Sequence, residues 1–131
     1  MDPLHDALNP KFLFFSPVGS DTLDSRGLAE HIDRAIIALD GRAPLAGDCV
    51  AELMNAVLGP TTLRIDLWVE SLDRWSCTYG FTVSNEEGTC AFARGERTVI
   101  NIDPRSHQPA PWSPAFVASH AELQKDLPAL A

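Results

Sequence analysis

Leu63, Ile65, Leu67 and Val69 alternate with Arg64, Asp66, Trp68 and Glu70. After a polar break at 71–73, Trp75, Cys77, Tyr79, Phe81 and Val83 alternate with Ser76, Thr78, Gly80, Thr82 and Ser84. Successive side chains leave opposite faces of a pleated strand, so this period predicts half-buried antiparallel strands. Asn85-Glu86-Glu87-Gly88 turns the chain, and a third run covers 89–102. The three runs make a meander with short hairpin connections, on which a smaller N-terminal part must pack.

Residues 1–10 read as a loose lead-in. The aromatic run Phe12, Leu13, Phe14 and Phe15 suits a strand over 11–18, closed by Pro17 and Gly19. A polar loop over 20–27 follows. From Leu28 the period changes: Leu28, Ile32, Ala35, Ile36 and Leu39 share one helical face, opposite Glu30, His31, Asp33 and Arg34, and Gly41 ends the helix. The run 40–48 reads as a loop. Residues 49–58 fit two descriptions. Val50, Leu53, Met54, Val57 and Leu58 have helical spacing, with Asp48 as cap and Gly59-Pro60 as stop; Val50, Glu52, Met54, Ala56 and Leu58 equally form one face of a strand. Four prolines in 103–114 make an irregular exit from the sheet, and 118–127 reads as a short helix stopped by Pro128.

Length and composition narrow the class. A chain of 131 residues, 45% hydrophobic and 21% charged, suits one globular domain. Its net charge of −8 argues against a nucleic-acid partner, which wants a basic face. No apolar run approaches the roughly 20 residues needed to span a bilayer, and no basic segment leads into an apolar core as in a secretory signal. Cys49, Cys77 and Cys90 cannot all pair and lack metal-ligand spacing, which predicts buried or half-buried thiols in a reduced cytoplasm, with no metal and no cofactor.

The order strand, loop, helix, then four strands ending in a meander resembles the hotdog fold, an α+β architecture in which a five-stranded antiparallel sheet wraps one long helix. Within it the chain resembles single-domain acyl-CoA thioesterases of the 4-hydroxybenzoyl-CoA thioesterase type. The likeness is carried by 50–60 followed by Leu63-Arg64-Ile65-Asp66-Leu67-Trp68-Val69-Glu70-Ser71-Leu72, and by Glu87-Gly88 with Ala93-Arg94-Gly95 leading into Thr98-Val99-Ile100-Asn101-Ile102-Asp103. Gln108-Pro109-Ala110-Pro111 completes it. It implies one hotdog domain over 1–131, with its core at about 12–113 and a tail or helix at 114–131. It also makes 50–58 a strand.

Members of this family often open the central helix with aspartate, two residues and glycine; here that is Asp24-Ser25-Arg26-Gly27. The resemblance makes Asp24 the catalytic carboxylate, as nucleophile or as general base for water. It departs from the common pattern after the glycine, where Leu28-Ala29-Glu30 replaces His-Val-Asn, and Asp21 matches an earlier family aspartate only with a one-residue shift. The free N–H groups of a helix N-terminus favour a developing oxyanion, and Ala29, Glu30 and His31 are the expected backbone donors. Asp24 also suits plain helix capping. Glu30 and Asp33 are alternative carboxylates, since another branch of the fold carries its catalytic acid within the helix; both also suit a solvated face.

His31 with a nearby carboxylate gives a second reading, a hotdog hydratase or dehydratase acting on enoyl thioesters, and the spacing His31-Ile32-Asp33 is its motif. A non-catalytic acyl-thioester binding subunit is the third. For a coenzyme A substrate, Arg94, Arg97 and Arg105 are the expected phosphate-binding cations; their plain alternative is sheet-edge charge. Ala91, Ala93 and Gly95 suit close packing on the helix, and Trp68 and Trp112 are candidates for the acyl pocket. The expected partners are an acyl-CoA or acyl-carrier-protein substrate and further copies of the chain, in a dimer or a tetramer. Ile37 and Trp68 need cover beyond one subunit.

Overall fold

The computed structural model describes residues 11–19, 24–42, 47–57 and 60–124. The alternating segments form five strands: β1 Phe12–Val18, β2 Gly47–Leu53, β3 Thr61–Leu72, β4 Ser76–Asn85 and β5 Ala91–Ile100. They build one sheet in the order β1-β3-β4-β5-β2, each neighbouring pair antiparallel. A long helix, α1 Ser25–Asp40, packs on one face, and a short helix, α2 Pro114–Ala121, follows the sheet. This is the α+β hotdog arrangement expected from the sequence.

The period-2 code decides which face is buried. Leu63, Ile65, Leu67 and Val69 of β3 share a face with Tyr79, Phe81 and Val83 of β4 and with Ala93 and Val99 of β5. Leu28, Ile32, Ala35 and Ile36 of α1 complete this core. Burying each large aliphatic chain stabilises by about 1.5–3 kcal/mol, which exceeds the ~1 kcal/mol that a glycine such as Gly27 costs inside a helix. On the outer face, Trp68 lies against Gly80, its partner across the β3–β4 ladder, where any Cβ would strike the indole.

Three elements shift most from the sequence expectation. The strand expected at 50–58 runs instead from Gly47 to Leu53, paired with β5 from Val99 to Ala93. It stops because one carbonyl, that of Phe92, takes both the Met54 and Asn55 N–H groups (2.7 and 3.3 Å), and Phe92 sits where the β4–β5 register shifts. Residues 58 and 59 lie outside the described residues. The C-terminal helix spans Pro114–Ala121 rather than 118–127, because the Ser113 hydroxyl accepts from the Phe116 N–H at 3.1 Å and Pro114 fits the first turn. The helix α1 begins at Ser25, ahead of the period change at Leu28.

Small residues on β5 serve the sheet more than the helix. Ala93 is buried, but Ala91 is exposed, and a Cβ at Gly95 would collide with the Val50 carbonyl of β2 and crowd Phe81. Of the thiols only Cys77 is buried; Cys49 and Cys90 are exposed, against expectation, because Cys49 stands on the edge strand and Cys90 in the β4–β5 connection. The lead-in 1–10 lies outside the described residues.

Candidate active site

The chain crosses from β1 into α1 through Asp24, which caps the helix. Its carboxylate Oδ1 accepts from the Gly27 N–H at 2.8 Å, and its carbonyl accepts from the Leu28 N–H at 2.9 Å. Asp24 itself is exposed. A helix leaves its first N–H groups without intrahelical partners. Here those belong to Ser25 and Arg26, with Gly27 already taken by Asp24. Ala29, Glu30 and His31, expected as oxyanion donors, lie one turn further on, where N–H groups bond back within the helix; the early start of α1 moves the free donors upstream. Asp21 lies outside the described residues.

His31 turns toward β1. Its Nδ1 stands 2.6 Å from the Ser16 hydroxyl, and both side chains are buried. Arg34 Nη1 lies 3.5 Å from the same nitrogen. Burial, and secondarily the Arg34 charge, hold the imidazole below its ordinary pKa, while Glu30 pulls weakly the other way. Ser16 escaped the sequence reading, although a signal was present: it is the polar residue at the inward parity of Phe12, Phe14 and Val18.

Asp33, two residues on, points elsewhere. Its Oδ1 accepts from Arg97 Nε at 2.9 Å, and Arg97 Nη1 also donates to the carbonyls of Thr98 (2.9 Å) and Asp48 (3.3 Å). Residues two apart on a helix diverge by about 200°, so His31 and Asp33 form no pair. Arg97 is buried and occupied, on the helix-bearing side of β5; Arg94 is on the outer side, bonded to Glu52 at 3.1 Å. Arg105 lies beyond the end of β5, its N–H donating to the Asp103 carboxylate at 2.8 Å. The three arginines expected to gather for a coenzyme A phosphate are therefore kept apart by strand parity and length. Glu30 is exposed.

A second polar cluster sits beneath α2. His120, fully buried, receives the Tyr79 O–H on Nε2 (2.6 Å) and donates from Nδ1 to the Phe116 carbonyl (2.9 Å). Phe116 stacks between His120 and Trp112. Burial lowers the His120 pKa, raises Tyr79 far above its usual value and pushes Cys77 up to about 12. Trp112 lines a groove of about 610 Å³ with Leu39, Asp40 and Arg42, and Trp68 one of about 460 Å³ on the outer face with Val50 and Glu52. Neither groove includes Asp24, so neither tryptophan joins it. Among the described residues no three His, Cys, Asp or Glu side chains group to hold a metal, and no helix is long and apolar enough to cross a membrane.

No protein-family model matches the sequence, and no curated protein is significantly similar to it. Solved structures are similar in fold. Slr0204, a 1,4-dihydroxy-2-naphthoyl-CoA thioesterase from Synechocystis, aligns over 87% of this chain and 98% of its own, with a TM-score of 0.71 and 11% identity. The SAV2348 protein from Staphylococcus aureus, in complex with CoA, aligns over 91% and 89% with a TM-score of 0.73 and 11% identity. A thioesterase from Thermus thermophilus, complexed with coenzyme A and Zn, aligns over 84% and 93% with a TM-score of 0.69 and 14% identity. At such identities the likeness is one of backbone architecture, and the architecture it identifies is the hotdog fold.

Proposed function

We propose that the protein hydrolyses the thioester of an acyl-CoA or acyl-carrier protein. Asp24 acts as nucleophile at the carbonyl carbon or as the base that activates water. The N–H groups of Ser25 and Arg26, which have no partner within the helix, stand at the positive end of the α1 dipole and polarise the carbonyl oxygen. The observation that carries this reading is an exposed carboxylate at the N-terminus of the long helix α1, in a fold shared with solved thioesterases. We place the activity in the cytoplasm, where three unpaired thiols stay reduced.

We also propose that the working unit is a homodimer, alone or paired into a tetramer. All seven residues of β2 are exposed, and among the described residues one of its edges has no neighbouring strand. Ile37, one turn beyond Asp33 on the α1 stripe that faces β5, is 40% exposed. A second β2 laid antiparallel across a two-fold axis would satisfy the edge and cover this stripe.

The capping bond of Asp24 also suits a purely structural aspartate, which favours a non-catalytic acyl-thioester binding subunit as the second reading. Free-thiol release from a panel of aliphatic and aromatic acyl-CoAs separates the two. Release supports hydrolysis; binding without release supports the subunit. Loss of enoyl absorbance from crotonyl-CoA without thiol release would replace both with a hydratase.

A further inference from the structure

Two contacts bear on where the His31 proton resides. Arg34 has only N–H groups to offer, so its approach to Nδ1 at 3.5 Å makes that nitrogen an acceptor. The Ser16 hydroxyl, 2.6 Å away, then donates to the same nitrogen, and the ring hydrogen belongs on Nε2. Among the described residues Nε2 has no hydrogen-bond partner, yet none of their buried side-chain nitrogens or oxygens is unsatisfied. The Nε2–H therefore reaches the surface of the site.

Asp24, Gly27 and His31 stand at i, i+3 and i+7, on one helical stripe. Helical side chains lean toward the N-terminus, so His31 leans over the turn bearing Gly27, and Gly27 has no side chain to fill that space. The stripe runs about 10 Å along the helix, with the Asp24 carboxylate at one end and the His31 imidazole at the other. Ser16 is two residues before the end of β1, the point from which the chain departs toward Asp24.

We propose that Ser16 is a positioning residue which, together with Arg34, commits the His31 proton to Nε2 and directs that N–H over Gly27 as a hydrogen-bond donor to the acyl carbonyl engaged by Asp24. The proposal rests on the thioesterase reading for its substrate but not for its geometry. The lowered His31 pKa agrees with it: a neutral ring keeps one nitrogen as acceptor for Ser16 and the other as donor. Arg34 and Glu30 are the charged neighbours on α1, and Ser16 is the neutral one on β1.

The test combines nitrogen-15 NMR of the histidines in the full chain at pH 7.5 with thiol release from hexanoyl-CoA and benzoyl-CoA. The expected spectrum shows neutral His31 protonated at Nε2, changing to a mixture of tautomers in Ser16→Ala. In the same variant kcat should fall about 10-fold with KM nearly unchanged and with a shifted pH profile. His31→Leu should lose roughly 10²-fold or more, the effect of removing one carbonyl donor, whereas His31→Gln, which restores an N–H at that reach, should recover most of it. A proton on Nδ1, a Ser16→Ala variant with unchanged tautomer and pH profile, or full turnover in His31→Leu would overturn the proposal. If the wild type releases no thiol from any thioester, the hydrolase reading and the donor role fail together, and the spectrum alone decides the Ser16–His31 assignment.

Discussion

Arg97 and Asp33 meet at 2.9 Å across 64 residues of sequence, joining α1 to β5. Through its bonds to the Asp48 and Thr98 carbonyls the same guanidinium fastens the edge strand β2. Two residues that the sequence offered as chemistry, one a catalytic alternate and one a phosphate ligand, are thereby engaged with each other. Removing one partner leaves the other charge without compensation in a mostly dry site. The Arg97 side chain is 10% exposed and that of Asp33 33%, so the cost should fall below the 3–5 kcal/mol typical of a fully buried pair. Arg97→Met should lower unfolding stability by about 2 kcal/mol in urea titrations while leaving coenzyme A binding by calorimetry almost unchanged. A large loss of affinity at unchanged stability would return Arg97 to the substrate site.

Asp24→Asn separates the two roles of that residue. Asparagine caps a helix about as well as aspartate, so the Gly27 bond and the fold should persist. It is a poor nucleophile and no base, so turnover should drop by at least ~10². Near-normal thiol release by this variant would remove Asp24 from the chemistry. Glu30 would then be the next carboxylate to test, because Asp33 is held by Arg97.

Folding stability should decline in mild acid. Both His31 and His120 have pKa values lowered from 6.5, chiefly by burial. Below pH 6.5 the unfolded chain takes up protons that the folded one resists, so the stabilisation is full above that pH and is lost as pH falls toward the folded values. Each histidine contributes at most about 1.4 kcal/mol per pH unit over that window. Asp40 and the Phe116 carbonyl moderate the effect at His120, and Glu30 does so at His31. Urea midpoints at pH 7.5 and 5.5 should differ measurably, and His120→Gln should flatten the difference. Equal midpoints in the wild type would contradict the burial of both rings in neutral form.

How much of this was readable in the sequence depends on where each residue's partners lie. The meander was plain because β3, β4 and β5 each have one apolar, buried face and one mostly polar, less buried face, and period 2 records that contrast directly. β2 was ambiguous for the opposite reason. Its residues are exposed on both faces, so nothing imposed a period, and the resemblance had to decide. The start of α2 was written locally as Ser113-Pro114, and Trp112, Phe116 and His120 are spaced by four; the prolines around them hid both signals. Asp24 was legible because a cap is local. The Ser16–His31 and Arg97–Asp33 contacts join positions 15 and 64 residues apart, and only the β1–α1 and α1–β5 packing brings them together.

Assembly supplies the last prediction. Among the described residues β2 presents an edge with no neighbouring strand and seven exposed residues, with Val50 at 71% and Leu53 at 49% exposed. Beyond it Met54 and, on α1, Ile37 add apolar surface. Exposed edges of this kind invite pairing with another strand, and a two-fold axis pairs an edge with itself. Toward the opposite side of the sheet, the Leu123 carbonyl accepts from the Val69 N–H at 2.8 Å and so covers the stretch of β3 that runs past the start of β1 at Phe12. Light scattering at micromolar concentration should therefore give at least twice the 14.3 kDa monomer mass. Val50→Lys with Leu53→Lys places charge along the edge and should shift the mass toward the monomer, and turnover should fall with it if the site needs both copies. A wild-type monomer with full activity would reject the dimer, and a charged variant that remains dimeric would move the interface away from β2.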